Sequence, residues 1–130
     1  MFSLVDDIES YPEFLPWCRN AIVHWRDGER LEATLELYRG DLSKTFRTRN
    51  TSSGCESIEM SLVDGPFRQL AGTWTFRQLG KSGSKVTLNV AFEFASPVVD
   101  TMFGAFFEDV CNSLVDAFTR RADMEFAGAE

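Results

Sequence analysis

The sequence predicts an α+β fold in which an antiparallel meander of strands is covered by one long C-terminal helix. Three observations carry that reading. Between Ala21 and Ala95, six runs rich in apolar residues, most of them alternating, are separated by short turn-forming stretches. At Ser96 the period of two gives way to helical spacing. Val98 and Val99, Met102 and Phe103, Phe106 and Phe107, Val110 and Cys111, then Leu114 and Phe118 fall on one winding stripe. The connections between runs are too short for parallel crossovers, so sequence neighbours pair antiparallel.

In chain order, Phe2, Val5 and Ile8 with Leu4 read as the end of an amphipathic helix whose wet side is Asp6, Asp7 and Glu9. Tyr11 to Cys18 carries Pro12 and Pro16, which forbid one long helix. A helical turn and a loop are expected there, apolar enough to cap the core or gate a cavity. Strands are expected over Ala21–Arg26, ending at the hairpin signal Asp27-Gly28, and over Arg30–Tyr38, with Leu31, Ala33, Leu35 and Leu37 inward. Ser43–Thr51 is a polar strand. Glu56–Val63, Gln69–Leu79 and Lys85–Ala95 complete the set, the last two joined by a loop at Gly80–Gly83. The helix then runs from Pro97 to about Phe126. Ser96 is its N-cap, Pro97 sits where a missing N–H costs nothing, and Asp100 and Arg120-Arg121 suit the helix dipole. Gly104 inside the helix costs about 1 kcal/mol relative to alanine. It marks either close packing on the sheet or room kept at the edge of a cavity.

The 130 residues make one domain, 1–130, with 44% hydrophobic and 25% charged residues. No apolar run is long enough to span a bilayer. A net charge of −7 argues against general nucleic-acid binding. It leaves room for a local patch: Arg39, Lys44, Arg47 and Arg49 lie within eleven positions. They read as a solvated strand face or as a docking face for RNA phosphate or an anionic membrane surface. Cys18, Cys55 and Cys111 are an odd set without CxxC spacing, which fits free thiols in a reducing compartment. His24, the single histidine, excludes a histidine-rich metal site or dyad and reads as a locally satisfied side chain. No nucleophile elbow, phosphate loop or zinc spacing is present. No catalytic residue, metal or required cofactor is therefore assigned. A curved sheet under one helix leaves space for an apolar ligand, and aromatic side chains facing that helix suit a flat ring.

The stretch from Phe2 to Cys18, Thr48-Arg49-Asn50, Leu62-Val63-Asp64-Gly65-Pro66-Phe67 with Leu70, Gly72 and Trp74-Thr75-Phe76, then Phe92-Glu93-Phe94, Phe103-Gly104, Phe118 and Arg121-Ala122 occur in an order that resembles one family. It is the coenzyme-Q-binding START-like family, which includes the ribosome association toxins and is also described as polyketide cyclase or dehydrase. The resemblance implies a helix-grip (START/Bet v 1-like) fold whose sheet wraps the C-terminal helix around a hydrophobic tunnel. It implies non-catalytic binding of ubiquinone or a similar isoprenoid lipid, supporting respiratory electron transport. The alternative is a ribosome association toxin that binds the large ribosomal subunit and blocks subunit joining. Trp17, Leu35, Trp74, Phe76, Phe92, Phe94, Met102, Phe103, Phe106, Phe107 and Val110 are the expected ligand contacts, with Tyr11, Phe14 and Leu15 as a lid. The expected location is the cytoplasm, at the inner face of the membrane, or the mitochondrial matrix side in a eukaryote. The family fold has seven strands. Six are read here, so the resemblance leads to the expectation that the first is missing and that Lys85–Ala95 is left as an edge open to self-association.

Overall fold

The computed structural model describes the backbone of residues 2–79 and 83–129 and the side chains of residues 2–77 and 85–124. A short helix, α1 (Phe2–Asp6), is followed by a 3-10 turn (Ile8–Glu13) and six strands: β1 (Cys18–Asp27), β2 (Arg30–Arg39), β3 (Leu42–Ser53), β4 (Ser57–Asp64), β5 (Phe67–Leu79) and β6 (Gly83–Phe94). Helix α2 (Pro97–Ala129) closes the chain. The strands form one antiparallel sheet in sequence order, so β1 and β6 each have a single strand neighbour among the described residues. The expected loop residues Gly80, Lys81 and Ser82 lie outside the described residues. Pro12 falls inside the 3-10 turn, where an α-helical i−4 bond is not required.

Register explains which faces are buried. Leu35 and Phe46 are directly paired between β2 and β3, as are Ala33 and Thr48, and Leu31 and Asn50. These rows form the inner face. Bulges between Cys18 and Asn20 and between Val23 and Trp25 change the parity of β1. Ala21 stays buried, whereas Ile22 and Trp25 emerge on the outer face, 45% and 37% exposed.

Two apolar clusters fill the space between the inner face and α2. One joins the N-terminal segment to the sheet through Val5, Ile8, Tyr11, Leu15, Trp74 and Phe118. The other gathers Phe67, Phe94, Phe103, Phe106, Phe107 and Val110. The stripe on α2 is narrower than the sequence predicts. Val98 and Met102 are 66% and 63% exposed, because each residue turns about 100° from its neighbour and Met102 leaves the face that Phe103 occupies.

Gly104 is buried, and a Cβ there would lie 3.6 Å from Phe94 Cε2, an ordinary contact, and 2.5 Å from the side-chain Oδ1 of Asp100. It is a packing position and does not line the cavity described below. Asp100 is exposed and free to swing away. Gly104→Ala is therefore expected to raise the melting temperature by recovering up to about 1 kcal/mol of helix propensity. Gly104→Leu is expected to lower it by overpacking against Phe94. Paired thermal melts check both signs.

Candidate apolar cavity and outer-face charge cluster

Between β2–β6 and the middle of α2 lies a cavity with about 80 Å³ of room for the centres of water-sized molecules. One water needs roughly 10–15 Å³ on that scale, so the space takes a small apolar group as it stands. Its walls are Tyr11, Trp17, Leu37, Phe46, Thr48, Met60, Leu70, Gly72, Trp74, Val90, Phe107, Val110, Cys111, Leu114 and Phe118. Polar atoms are few and satisfied: the buried Tyr11 hydroxyl donates to the Val5 carbonyl, and Thr48 Oγ1 donates to Asn50 Oδ1 at 3.0 Å. A second, open cleft of about 530 Å³ lies between β6 and α2, lined by Leu88, Asn89, Val90, Phe92, Glu108, Cys111 and Asn112. Val90 and Cys111 border both spaces. The two spaces adjoin at these side chains.

Of the expected ligand contacts, Trp17, Trp74, Phe107 and Val110 line the cavity and Phe92 lines the cleft. Phe94, Phe103 and Phe106 are spent on ring-to-ring packing with one another and with Phe107. Phe76 stacks parallel on Trp74 with centroids 6.1 Å apart and meets Phe2 edge-on at 5.6 Å. Leu35 packs half-buried between the two clusters, and Met102 faces outward. Within the lid, Tyr11 borders the cavity. Phe14 packs edge-on to Phe118, 5.2 Å away, and Leu15 is an anchor only 1% exposed. The missed walls include Phe46, Thr48 and Met60. Phe46 and Thr48 sit on β3, whose arginines mask an alternation of Phe46, Thr48 and Asn50 toward the core.

The basic group divides between the two faces of the sheet. Lys44 pairs with the buried Leu37 and so has inner-face parity. Arg39 reaches α2, where Nη2 donates to Asp109 at 3.2 Å and the guanidinium lies 4.6 Å over the Phe106 ring. Arg47 and Arg49 project outward, where both bond Glu32. The four do not make one patch, because Lys44 and Arg47 are an odd number of residues apart on one strand.

Glu32 is nearly buried, yet it accepts from Arg47 Nε at 3.2 Å, Arg49 Nη2 at 3.2 Å and Trp25 Nε1 at 2.7 Å. Burial raises its pKa, but the hydrogen bonds from Arg49 and Trp25 and the two positive charges outweigh this and hold it below the usual 4.5. A carboxylate with a depressed native pKa contributes stability that is present above its unfolded pKa and is lost as pH falls through the native one. The stability gap between the wild type and Glu32→Gln is therefore expected to be widest near neutrality and to close below about pH 4.5. Melts over a pH series measure it.

The chemistry available is limited. Burial pushes the thiols of Cys18 and Cys111 up to about 11, so neither is a nucleophile at neutral pH. His24 Nε2 lies 2.6 Å from Thr34 Oγ1 on the outer face. Among the described residues no cluster of His, Cys, Asp or Glu could hold a metal ion, and no helix is long and apolar enough to cross a membrane.

Comparison with known proteins agrees with this architecture. The profile of the family described as polyketide cyclase / dehydrase and lipid transport matches residues 1–119. A Pseudomonas aeruginosa protein named ribosome association toxin RatA is 43% identical over 122 residues, 94% of this chain and 85% of that one. The mitochondrial coenzyme Q-binding protein COQ10 of Dictyostelium discoideum is 27% identical over 127 residues, 95% of this chain and 62% of that one. Among solved structures, a START superfamily protein from Mycobacterium smegmatis superposes with a TM-score of 0.78 at 19% identity, covering 95% of this chain and 87% of that one. The order of strands and helix, the apolar cavity beneath α2 and these matches place the chain in the START-like polyketide cyclase/dehydrase and lipid transport family.

Proposed function

We propose that this chain acts by association with the ribosome, the property named for its RatA relative, that it does so at the large subunit, and that it does not act by catalysis. The observation that carries the reading is the 43% identity extending over 94% of the chain, against 27% for the coenzyme Q-binding relative. The inert thiols of Cys18 and Cys111 and the lone, satisfied histidine accord with a binding role. Ribosome binding places the protein's work in the compartment where translation occurs. The test is co-sedimentation of the purified protein with isolated large subunits, followed by addition of small subunits. Retention on the large subunit with fewer joined ribosomes supports the reading. Protein left at the top of the gradient at both low and moderate salt removes it.

The apolar cavity favours a second role, the holding of a ring-bearing or isoprenoid lipid such as ubiquinone. The cavity is too small for a quinone with its tail, so such a ligand enters by displacing Val90 and Cys111 from the β6–α2 cleft or by lifting the Tyr11 lid. Native mass spectrometry after incubation with quinones reads occupancy, and Val90→Trp is expected to abolish it by filling the cavity that Val90 lines, whichever way the ligand enters. A wild-type protein that stays empty against every lipid class ends this second role.

A further inference from the structure

The outer face of β1–β3 carries an arrangement that a sheet facing only solvent does not require. Glu32 has a side chain 7% exposed, although its strand position points away from the core. Removing a carboxylate from water is costly unless its lone pairs are filled. Here they are filled by three donors from two neighbouring strands: the Trp25 indole on β1 and the Arg47 and Arg49 guanidiniums on β3. Each of these partners stays accessible. The Arg47 and Arg49 side chains are 35% and 52% exposed, and Trp25 is 37% exposed. The Arg49 guanidinium also stands 5.9 Å over the Trp25 ring. Ile22 on β1 and Val63 on the neighbouring β4 are each 45% exposed.

The pairing pattern sets this group apart from the other described arginines that meet an acid. Arg19, Arg26, Arg39 and Arg68 each meet an acid one to one. Arg47 and Arg49 share a single carboxylate, the one acid among the described ion pairs that meets two arginines, and each keeps donors to spare. Asp64 is the ladder partner of Arg47 but makes no ion pair with it among the described residues. Glu36 is turned away to Arg19 and Ser43. One indole face and two guanidinium forks with spare donors match an unstacked base and its flanking phosphates. Bases stack on aromatic and guanidinium planes, and arginine forks bond phosphate oxygens.

We propose that Trp25, Arg47 and Arg49 form the surface that contacts ribosomal RNA at an exposed, unpaired base, with Glu32 as the positioning residue that holds all three. This rests on the ribosome reading above and supplies the site that reading lacks. Glu32 is what separates it from simple charge attraction. Neutralising Glu32 adds a net positive charge to the chain, which by electrostatics alone strengthens binding to a polyanion. If Glu32 positions the group, the same change weakens binding.

The experiment measures binding of the full chain to purified large subunits across a salt series, beside titration with short single-stranded RNA read by tryptophan fluorescence. Variants are Trp25→Ala, Trp25→Phe, Arg47→Gln with Arg49→Gln, and Glu32→Gln, each first checked for an intact melt. Trp25→Ala is expected to weaken binding roughly tenfold, within the range of one base stack. Trp25→Phe keeps most of the affinity and loses the fluorescence quench. The double arginine variant flattens the salt dependence by about one to two units of slope, and Glu32→Gln weakens binding. Wild-type binding that none of the variants alters, or that Glu32→Gln tightens, overturns the proposal and leaves the ribosome reading intact. Variants that lose the subunit while RNA never quenches wild-type fluorescence assign the face to a ribosomal protein and overturn the RNA contact. A wild type that binds neither subunit nor RNA removes both.

Discussion

Phe118→Ala is expected to lower stability by about 3–5 kcal/mol, the usual range for deleting a fully buried phenylalanine. Phe118 is 0% exposed and touches Tyr11 at 5.2 Å, Phe14 at 5.2 Å and Trp74 at 5.4 Å between centroids. It therefore joins lid, helix and sheet in one contact set, each pair edge-on, the geometry that aromatic quadrupoles favour. The void left behind opens into the existing cavity, so the surrounding side chains have little to collapse onto. Chemical denaturation gives the energy, and the melting temperature should fall by roughly 10–20 °C. A loss under about 1 kcal/mol would mean that the lid does not depend on this ring. Phe118→Leu, which keeps volume near the centre, should recover more than half of the loss.

Gly65→Ala is expected to cost about 2–4 kcal/mol, from backbone strain and overpacking together. Gly65 has φ +154°, in the region where a side chain is strained. An added Cβ would stand 2.7 Å from Phe46 Cβ and 3.3 Å from Phe46 Cα. Those atoms belong to the β3 main chain and its root, so relief requires β3 to move. Phe46 lines the cavity and packs edge-on against Phe67 and Phe107, which carries the disturbance into the site. The contrast with Gly104 is instructive: its close neighbour is the free end of an exposed side chain. Thermal melts of the two alanine variants side by side should move in opposite directions.

The strand alternation and the switch of period at Ser96 announce the fold, and boundaries moved by only a few residues. Cys18 joins β1 early because its ladder partner Leu37 and the Tyr38 N–H, bonded to the Trp17 carbonyl at 2.9 Å, draw it in. The cavity was less legible. Phe94, Phe103 and Phe106 have the pattern of ligand walls, but ring-to-ring packing consumes them. Thr48 and Met60 look ordinary and line open space. Which aromatic fills a gap depends on side-chain rotation, and no spacing encodes that. The outer cluster was half visible. Arg47 and Arg49 stood out as charges, but Glu32 reads as one more outward acid in an alternating strand. Trp25 comes to face it only through the bulge after Val23.

The way the N-terminal segment docks has a consequence for the order of assembly. Every strand pairs with its immediate neighbour in sequence, so the sheet forms through contacts that close short loops. The lid meets α2 from the opposite end of the chain, as Tyr11 and Phe14 do against Phe118, and that closure joins the most distant parts of the molecule. Such contacts are expected to form late and open first. The amides of Leu15 and Cys18, bonded to the carbonyls of Tyr11 and Leu15, are expected to exchange with solvent ahead of those of β2 and β3, which native-state hydrogen exchange reads. A breathing motion that releases the lid while the sheet stays folded would then set how fast any guest reaches the space beneath it, whatever its final affinity.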